Sequence, residues 1–236
     1  MNTDMNCLST WFPKLQTAGL PVPKTIIVRA PNLLPLLDGE QPDGWATFMV
    51  ELANACDVMG FPCFLRTGQT SAKHSWLESC FITHISCLGR HVANLVEFSE
   101  MADFVGLPTN VWAVREMLPT IPQMTAFNGM PICREFRCFV RNGEVICWHP
   151  YWPGDALLDG MPNPPADFEQ RYANLCYLPA TDEPLLRDLA SRAGAAVGGD
   201  WSVDILETKR HWFITDMAVA QQSFHWPDCQ HAGRFL

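Results

Sequence analysis

Long apolar runs are missing from this chain of 236 residues. No stretch approaches the roughly 20 apolar residues that a membrane-spanning helix needs. The first residues, MNTDMNCLSTWF, lack the basic start and the apolar core of a secretory signal. We therefore expect a cytoplasmic protein with no membrane partner.

Basic residues are also scarce. The chain has 16 Lys and Arg against 25 Asp and Glu, which gives a net charge of −9. Proteins that bind nucleic acid gain most of their affinity by neutralising phosphates with basic side chains. The composition therefore argues against a nucleic-acid partner, although a local basic cleft stays open as an alternative.

Close cysteine pairs are absent, although the chain has ten cysteines and 48% hydrophobic residues. No CxxC occurs, and the spacing of the nearest pairs is too wide for a standard zinc knuckle. Those pairs are Cys56 and Cys63, Cys80 and Cys87, and Cys133 and Cys138. Most cysteines lie inside apolar runs, where a reduced thiol behaves as a small hydrophobic group. We expect buried, reduced thiols around a sizeable core.

The clearest structural signal is REFRCFVRNGEVICWHPYW, residues 134–152. Asn142-Gly143 predicts a two-residue type I′ turn between two strands. The implied pairs are Arg141 with Glu144, Phe139 with Ile146, and Arg137 with Trp148. Arg137 then lies on a charged face, and His149 packs on the opposite one. A solvated face with a cross-strand ion pair is the alternative.

Apolar periodicity places the other elements. It predicts helices over residues 9–18, 45–59, 91–105, 167–175 and 182–197, and strands over 25–28, 61–66, 79–84, 111–118 and 124–130. Residues 153–165 are rich in Pro, Gly and Asp, which predicts an exposed loop. Together the elements indicate an α+β fold.

A polar loop, TGQTSAKHS, follows Arg66 and separates two predicted strands. Small residues in such a loop can present backbone N–H groups and Lys73 to a phosphate. The loop is not a Walker A motif, because GxxxxGK[ST] is absent. An ordinary hairpin loop is the alternative.

The last strand pair, WSVDILETKRHWFITDM, carries Asp204 and Asp216. A three-residue loop would place the two carboxylates on one face at diagonal positions. They would repel each other unless a cation lies between them, and Mg²⁺ prefers such oxygen ligands. Removing either carboxylate should then cost little stability. A loop one residue longer would put them on opposite faces, and one solvated acid plus one turn acid is the alternative.

The order of these features resembles the ATP-grasp superfamily. The resemblance rests on RTGQTSAKHSW, VREML, EFRCFV, WSVDIL and FITDM, and covers roughly residues 61–226. It is nearest to small phage and bacterial ATP-grasp proteins, and more distant to the eukaryotic ATP-grasp chaperones that assemble a translation initiation factor. It implies two α/β lobes with antiparallel sheets enclosing a nucleotide cleft, which we expect at residues 1–110 and 111–236.

The resemblance also implies roles for individual residues. Arg66 and Lys73 would hold phosphates, and Arg137 would face the transferred group as the catalytic residue. Glu116, Met117 and Leu118 would meet adenine and ribose, and Asp204 and Asp216 would bind Mg²⁺. Many members have an amide two residues after the last acid, whereas this chain has Ala218.

The implied function is an ATP- and Mg²⁺-dependent carboxylate–amine ligase that acts through an acylphosphate. Its substrates would be small-molecule or peptide carboxylates and amines, with Ser223, His225 and Trp226 as candidates for the acceptor site. Two alternatives stay open: a non-catalytic ATP-binding assembly factor with a protein partner, and a protein that keeps the fold without the nucleotide.

Overall fold

The computed structural model describes residues 4–102 and 105–235. Within them lie six helices: α1 (Leu8–Thr17), α2 (Trp45–Met59), α3 (Leu88–Met101), α4 (Gly154–Asp159), α5 (Phe168–Cys176) and α6 (Glu183–Val197). The same residues form ten strands: β1 (Thr25–Arg29), β2 (Cys63–Thr67), β3 (Phe81–Ile82), β4 (Val111–Glu116), β5 (Pro122–Ala126), β6 (Met130–Cys133), β7 (Glu135–Arg141), β8 (Glu144–Pro150), β9 (Asp200–Glu207) and β10 (Trp212–Val219).

The first sheet is antiparallel, in the order β1-β4-β2-β3. Its outer face packs on α2 and α3, with Leu65 and Val114 fully buried in that core. Side chains alternate along a strand, so Arg66 and Arg115 point to the other face. The predicted boundary at residue 111 separates β4 from the sheet it belongs to, because β4 pairs with both β1 and β2.

The second sheet is also antiparallel, in the order β10-β9-β7-β8. Helices α1 and α6 cover one face, where Phe136, Val203 and Ile205 are fully buried. This confirms the apolar face predicted for residues 134–152. The opposite face carries Arg137 and Asp204, which are cross-strand neighbours.

A third core forms around the β5–β6 hairpin, α4 and α5. The predicted exposed loop at residues 153–165 is wrong, because it contains α4 and buries Leu157 and Met161. Pro153 and Gly160 lie at the two ends of this short helix. Leu157 and Met161 pack the segment against the β5–β6 hairpin.

Other predictions agree more closely. The α2 bounds match the prediction, and the α+β class with antiparallel sheets is confirmed. The helix predicted over 91–105 begins at Leu88 and ends at Met101, and residues 103 and 104 of that prediction lie outside the described residues. All ten cysteines lie in the described ranges as free thiols.

The turn at Asn142-Gly143 forms and pairs Arg141 with Glu144 as predicted. A bulge beyond Val140 then shifts the register by one residue, so Phe139 faces Cys147 and Arg137 faces His149. The predicted pairs with Ile146 and Trp148 are therefore wrong. His149 shares the face of Arg137, because directly opposed residues point to the same side.

Candidate active site

A cleft between the two sheets collects most of the predicted site residues. It has about 860 Å³ of empty space including its open mouth. Arg66, Lys73, Glu116, Met117, Leu118, Asp204 and Asp216 all line it.

Arg66 ends β2 and reaches across the cleft to the second sheet. Its Nη1 lies 2.9 Å from Asp216 Oδ1, and its side chain is only 4% exposed. Its Nε also donates to the carbonyl of Thr67. A buried guanidinium needs an anionic partner to offset its lost hydration. Asp216 supplies that partner.

Arg137 holds Asp204 from the neighbouring strand. Its Nε and Nη2 donate to the two carboxylate oxygens at 2.7 and 2.9 Å. This two-point geometry is the strongest form of arginine–carboxylate pairing. Burial by itself would lower the pKa of Arg137, but the Asp204 carboxylate outweighs it and raises that pKa above its usual value.

Asp204 and Asp216 lie directly opposite each other on β9 and β10. Glu207 pairs with Trp212, so the loop is one residue longer than predicted. A bulge at Thr215 adds one residue to β10 and so restores the expected alternation of side chains between the two faces. The two carboxylates therefore share a face, as predicted, but at opposed rather than diagonal positions.

The cations beside this pair are arginines of the chain itself. Each carboxylate has its own guanidinium, so the repulsion inferred from the sequence is already relieved. This geometry argues against the expectation that removing either carboxylate costs little stability, because the removal would leave Arg66 or Arg137 without its partner.

Lys73 enters the cleft from the loop after β2. Its Nζ lies 3.7 Å from Glu135 Oε2 and 3.9 Å from the centre of the Tyr151 ring. Ser79 holds the loop by donating to the carbonyl of Ala72 at 2.8 Å. Burial alone would lower the pKa of Lys73, but Glu135 and Tyr151 raise it above the usual value. The side chain is a fixed cation.

The segment after β4 lines the cleft beside these charges. The Glu116 carboxylate accepts a hydrogen bond from the backbone N–H of Lys24 at 2.6 Å. The carbonyl of Leu118 accepts from the N–H of Thr120 at 2.9 Å. Glu116 therefore ties the segment to the chain before β1, and Met117 and Leu118 present an apolar wall.

Sequence reasoning missed two charged residues of the cleft, Arg115 and Glu135. Arg115 is 4% exposed and donates to the carbonyl of Thr215 across the cleft at 2.6 Å. Its Nε and Nη2 have no hydrogen-bond partner within the described residues. Burial, reinforced by the Arg66 charge, lowers the pKa of Arg115 to about 9, so it stays cationic at neutral pH.

Glu135 is buried beside Lys73 and accepts a hydrogen bond from Thr215 Oγ1 at 3.0 Å. Burial raises the pKa of Glu135, and Lys73 opposes that shift. The signal for both missed residues was a charge inside an otherwise apolar strand, in VWAVRE and EFRCFV. Such a charge is costly unless it is paired.

The cleft therefore suits a polyanion together with a divalent cation. Arg66, Lys73 and Arg115 line the cleft and supply hydrogen-bond donors, two of which, on Arg115, are unpartnered among the described residues. Arg137 does not line the cleft itself but holds Asp204, which does. Phosphate oxygens match the planar fork of arginine. Asp204 and Asp216 supply the carboxylate oxygens that Mg²⁺ prefers. The residues present fit a nucleotide with Mg²⁺.

The predicted acceptor candidates lie on the same sheet face. Ser223 Oγ is 2.6 Å from Ser202 Oγ, and Trp226 Nε1 donates to the carbonyl of Pro150 at 3.1 Å. None of the three residues lines the cleft, and His225 lies next to Cys147. Among the described residues, no helix is long and apolar enough to cross a membrane.

Solved structures share this fold at low sequence identity. The RimK domain protein ATP-grasp from Sphaerobacter thermophilus is 14% identical with a TM-score of 0.50, covering 91% of this chain and 58% of its own. Cdc123 from Schizosaccharomyces pombe is 14% identical with a TM-score of 0.55, covering 92% of this chain and 84% of its own.

A third match is N5-carboxyaminoimidazole synthase from Aspergillus clavatus, in complex with ADP and 5-aminoimidazole ribonucleotide. It is 11% identical with a TM-score of 0.52, covering 91% of this chain and 44% of its own. The chain thus spans little more than half of the RimK-domain structure and less than half of the synthase.

No curated protein matches the chain. A sequence-family model does match it: the model of an ATP-grasp domain, for family 3 within one clade of such domains. The match covers residues 56–182, more than half of the sequence. That segment runs from α2 through Arg66, Lys73, Arg115 and Arg137 to the start of α6. The chain therefore belongs to the ATP-grasp superfamily, in the family that this model describes.

Proposed function

We propose that this protein is an ATP- and Mg²⁺-dependent carboxylate–amine ligase that acts through an acylphosphate. The observation that carries the proposal is the cleft itself. It brings basic side chains and two facing aspartates from both sheets together, with Arg137 paired to one of those aspartates. The family match adds the expectation that the cleft binds ATP.

The cleft offers different surfaces to the two ends of ATP. Met117, Leu118, Met130 and Leu206 supply apolar surface for the base. Arg66, Lys73, Arg115 and Arg137 are the candidates for the phosphates, and Glu116 for the ribose. Asp204 and Asp216 would hold Mg²⁺, which supplies charge neutralisation at the phosphates when it is bound.

The reaction places few demands on acid–base residues. A substrate carboxylate oxygen takes the γ-phosphoryl group of ATP, which releases ADP and leaves an acylphosphate. An amine nitrogen then attacks the acyl carbon, and inorganic phosphate leaves with the bonding electrons. Such transfers depend on positioning and charge stabilisation. Arg137 supplies both, because its guanidinium is fixed by Asp204 and flanked by Tyr151.

Arg137→Met tests the catalytic assignment. Methionine keeps much of the apolar stem and removes the donors that suit a phosphate. We expect ADP release in the presence of pooled carboxylates and hydroxylamine to fall to background, and the hydroxamate that traps an acylphosphate to disappear. The measurements are coupled ADP detection and mass spectrometry of the trapped product.

Arg141→Met is the matched control. Arg141 lies on the same strand and pairs with Asp200, which does not line the cleft, whereas Asp204, the partner of Arg137, does. Its variant should keep wild-type turnover. If Arg137→Met folds, binds ATP normally and still turns over, the central arginine has no catalytic role.

A second candidate function is an ATP-binding assembly factor that performs no ligation. Ala218 favours it, because an amide at that position would add an oxygen ligand to the two aspartates. ATP binding without ADP release under any carboxylate and amine combination would support this candidate. Absence of ATP binding would instead indicate a fold that has lost its nucleotide.

A further inference from the structure

A cluster of metal-binding side chains lies where the C-terminal segment crosses the second sheet. Cys147 and His149 come from β8, and His225 and Cys229 come from the segment after β10. One ligand atom of each residue lies within 4.8 Å of the ligand atoms of the other three. We propose that these four residues form a zinc site, which fixes the C-terminal segment to the sheet.

The donor set and its compactness suit zinc. Two cysteines with two histidines form the usual tetrahedral set of structural zinc sites. Bonds of about 2.0–2.3 Å in a tetrahedron place the ligand atoms about 3.3–3.8 Å apart. Cys147 Sγ and His225 Nε2 are 3.2 Å apart, and every other pair of ligand atoms lies within 4.8 Å. The sequence spacing hides this site, because each pair is CxH or HxxxC rather than CxxC.

Each histidine of the cluster has a ring nitrogen that suits metal binding. Nδ1 of His225 lies 3.2 Å from the carbonyl oxygen of Trp226. A proton on that nitrogen leaves the Nε2 lone pair directed at Cys147, which is the usual outer arrangement of a zinc-bound histidine. Nε2 of His149 is buried without a hydrogen-bond partner in the described part of the chain.

A nucleophilic Cys–His pair is the competing interpretation of Cys147 and His225. A nucleophile needs a thiolate that a substrate can reach. Cys147 is only 8% exposed, so a substrate has little access to its thiol. A zinc ion would displace both thiol protons on binding. The resulting complex of one dication and two thiolates is neutral, which suits a half-buried site beside Phe139 and Trp226.

The site lies next to the proposed catalytic arginine. His149 is the cross-strand neighbour of Arg137. Nη1 of Arg137 donates to the carbonyl of Phe224 at 3.4 Å, one residue before His225. A metal that holds His225 and Cys229 therefore also holds the backbone that contacts Arg137. We expect its loss to loosen this segment without unfolding the sheets, because Phe235 still packs on Phe139.

Metal content tests the proposal directly. The full chain, expressed with added zinc and purified under reducing conditions without a histidine tag, should contain one zinc per chain by mass spectrometry of the metal. Cys147→Ser and Cys229→Ser should lose it. Cys176→Ser, a half-buried cysteine outside the cluster, should keep it. Cobalt substitution should give the visible bands of a tetrahedral site and thiolate charge-transfer bands.

Hydrogen exchange separates loss of metal from loss of fold. Treating the wild-type protein with a zinc chelator should increase exchange in residues 223–235 and leave α2 unchanged. This arm needs no variant, so it decides the question even if a cysteine variant misfolds. The proposal is overturned by wild-type protein that takes up no zinc or cobalt, by both cysteine variants retaining zinc, or by a Cys147–Cys229 disulfide in protein kept under reductant.

Discussion

Three pairs of opposite charges meet at the cleft. Arg66 holds Asp216, Arg137 holds Asp204, and Lys73 holds Glu135. Each pair joins side chains that are separated by at least 60 positions in the sequence. Arg66–Asp216 and Lys73–Glu135 join the two halves of the molecule, whereas Arg137–Asp204 lies within the second sheet. Paired charges gathered at one cleft indicate a site for a charged ligand rather than a stability device, because buried ion pairs add little net stability.

Replacing Lys73 should weaken ATP binding. A charge-assisted contact to phosphate contributes about 1.5–3 kcal/mol. Lys73→Ala should therefore raise the Kd for ATP by about 10–150-fold. Titration calorimetry measures it, and Lys209→Ala, an exposed lysine outside the cleft, is the control. Equal affinities for wild type and Lys73→Ala would remove this lysine from the site.

Replacing Asp216 should affect both metal-dependent binding and stability. Asp216→Asn removes a Mg²⁺ ligand, so Mg²⁺ should no longer tighten ATP binding. It also removes the ionic partner of the buried Arg66, which should lower the free energy of unfolding by about 1–3 kcal/mol. Urea unfolding and calorimetry measure the two effects. Asp188→Asn, on the exposed face of α6, should change neither.

The elements show how far the sequence leads and where it stops. The 3.6-residue period gave α2, and Asn142-Gly143 gave the β7–β8 turn. Both signals are local, so no distant contact can shift them. The bulges beyond Val140 and at Thr215 depend on neighbouring strands, and nothing in the local sequence marks them.

The same limit applies to residues of the site. Lys73 was predicted because it lies in a loop between two strands, and the aspartates because the last hairpin places both on one face. Arg115 was missed because its use depends on Thr215, 100 positions away. The helix α4 was missed because Pro and Gly are turn formers, while the apolar contacts of Leu157 that stabilise it come from another hairpin.

Helix α6 packs on β7 through a glycine. A Cβ on Gly194 would lie 2.4 Å from Cγ1 of Val140. Gly194→Ala should therefore lower the free energy of unfolding by about 1–3 kcal/mol through overpacking. In α3, a Cβ on Gly89 meets nothing within 4 Å, so Gly89→Ala should be neutral or stabilise by up to about 1 kcal/mol. Urea titrations of both variants compare them, and equal losses would contradict this packing.

The two four-stranded sheets of the molecule face each other across the cleft. Contacts from Arg66, Lys73 and Arg115 of the first half reach Asp216, Glu135 and Thr215 of the second. A ligand between the sheets bears on both halves at once, so its binding should stabilise the protein as a whole.

ATP with Mg²⁺ should raise the melting temperature more than ATP with a chelator. A ligand present at 100 times its Kd stabilises the folded state by about 2.7 kcal/mol. Weaker binding without Mg²⁺ reduces that gain at the same ATP concentration. Thermal scans with ATP, ATP plus Mg²⁺ and ATP plus chelator measure the difference. Identical shifts would show that the aspartates bind no metal together with the nucleotide.

The ion pairs Arg66–Asp216 and Arg137–Asp204 would compete with a bound nucleotide. Asp216 and Asp204 already occupy the guanidinium groups that the phosphates of ATP would bind. ATP alone must displace them, and the freed carboxylates then face one another unshielded. A divalent cation that arrives with the nucleotide gives those carboxylates a new partner. Under the proposed function, this exchange of partners, rather than the filling of a vacant site, would set how strongly metal binding and nucleotide binding depend on each other.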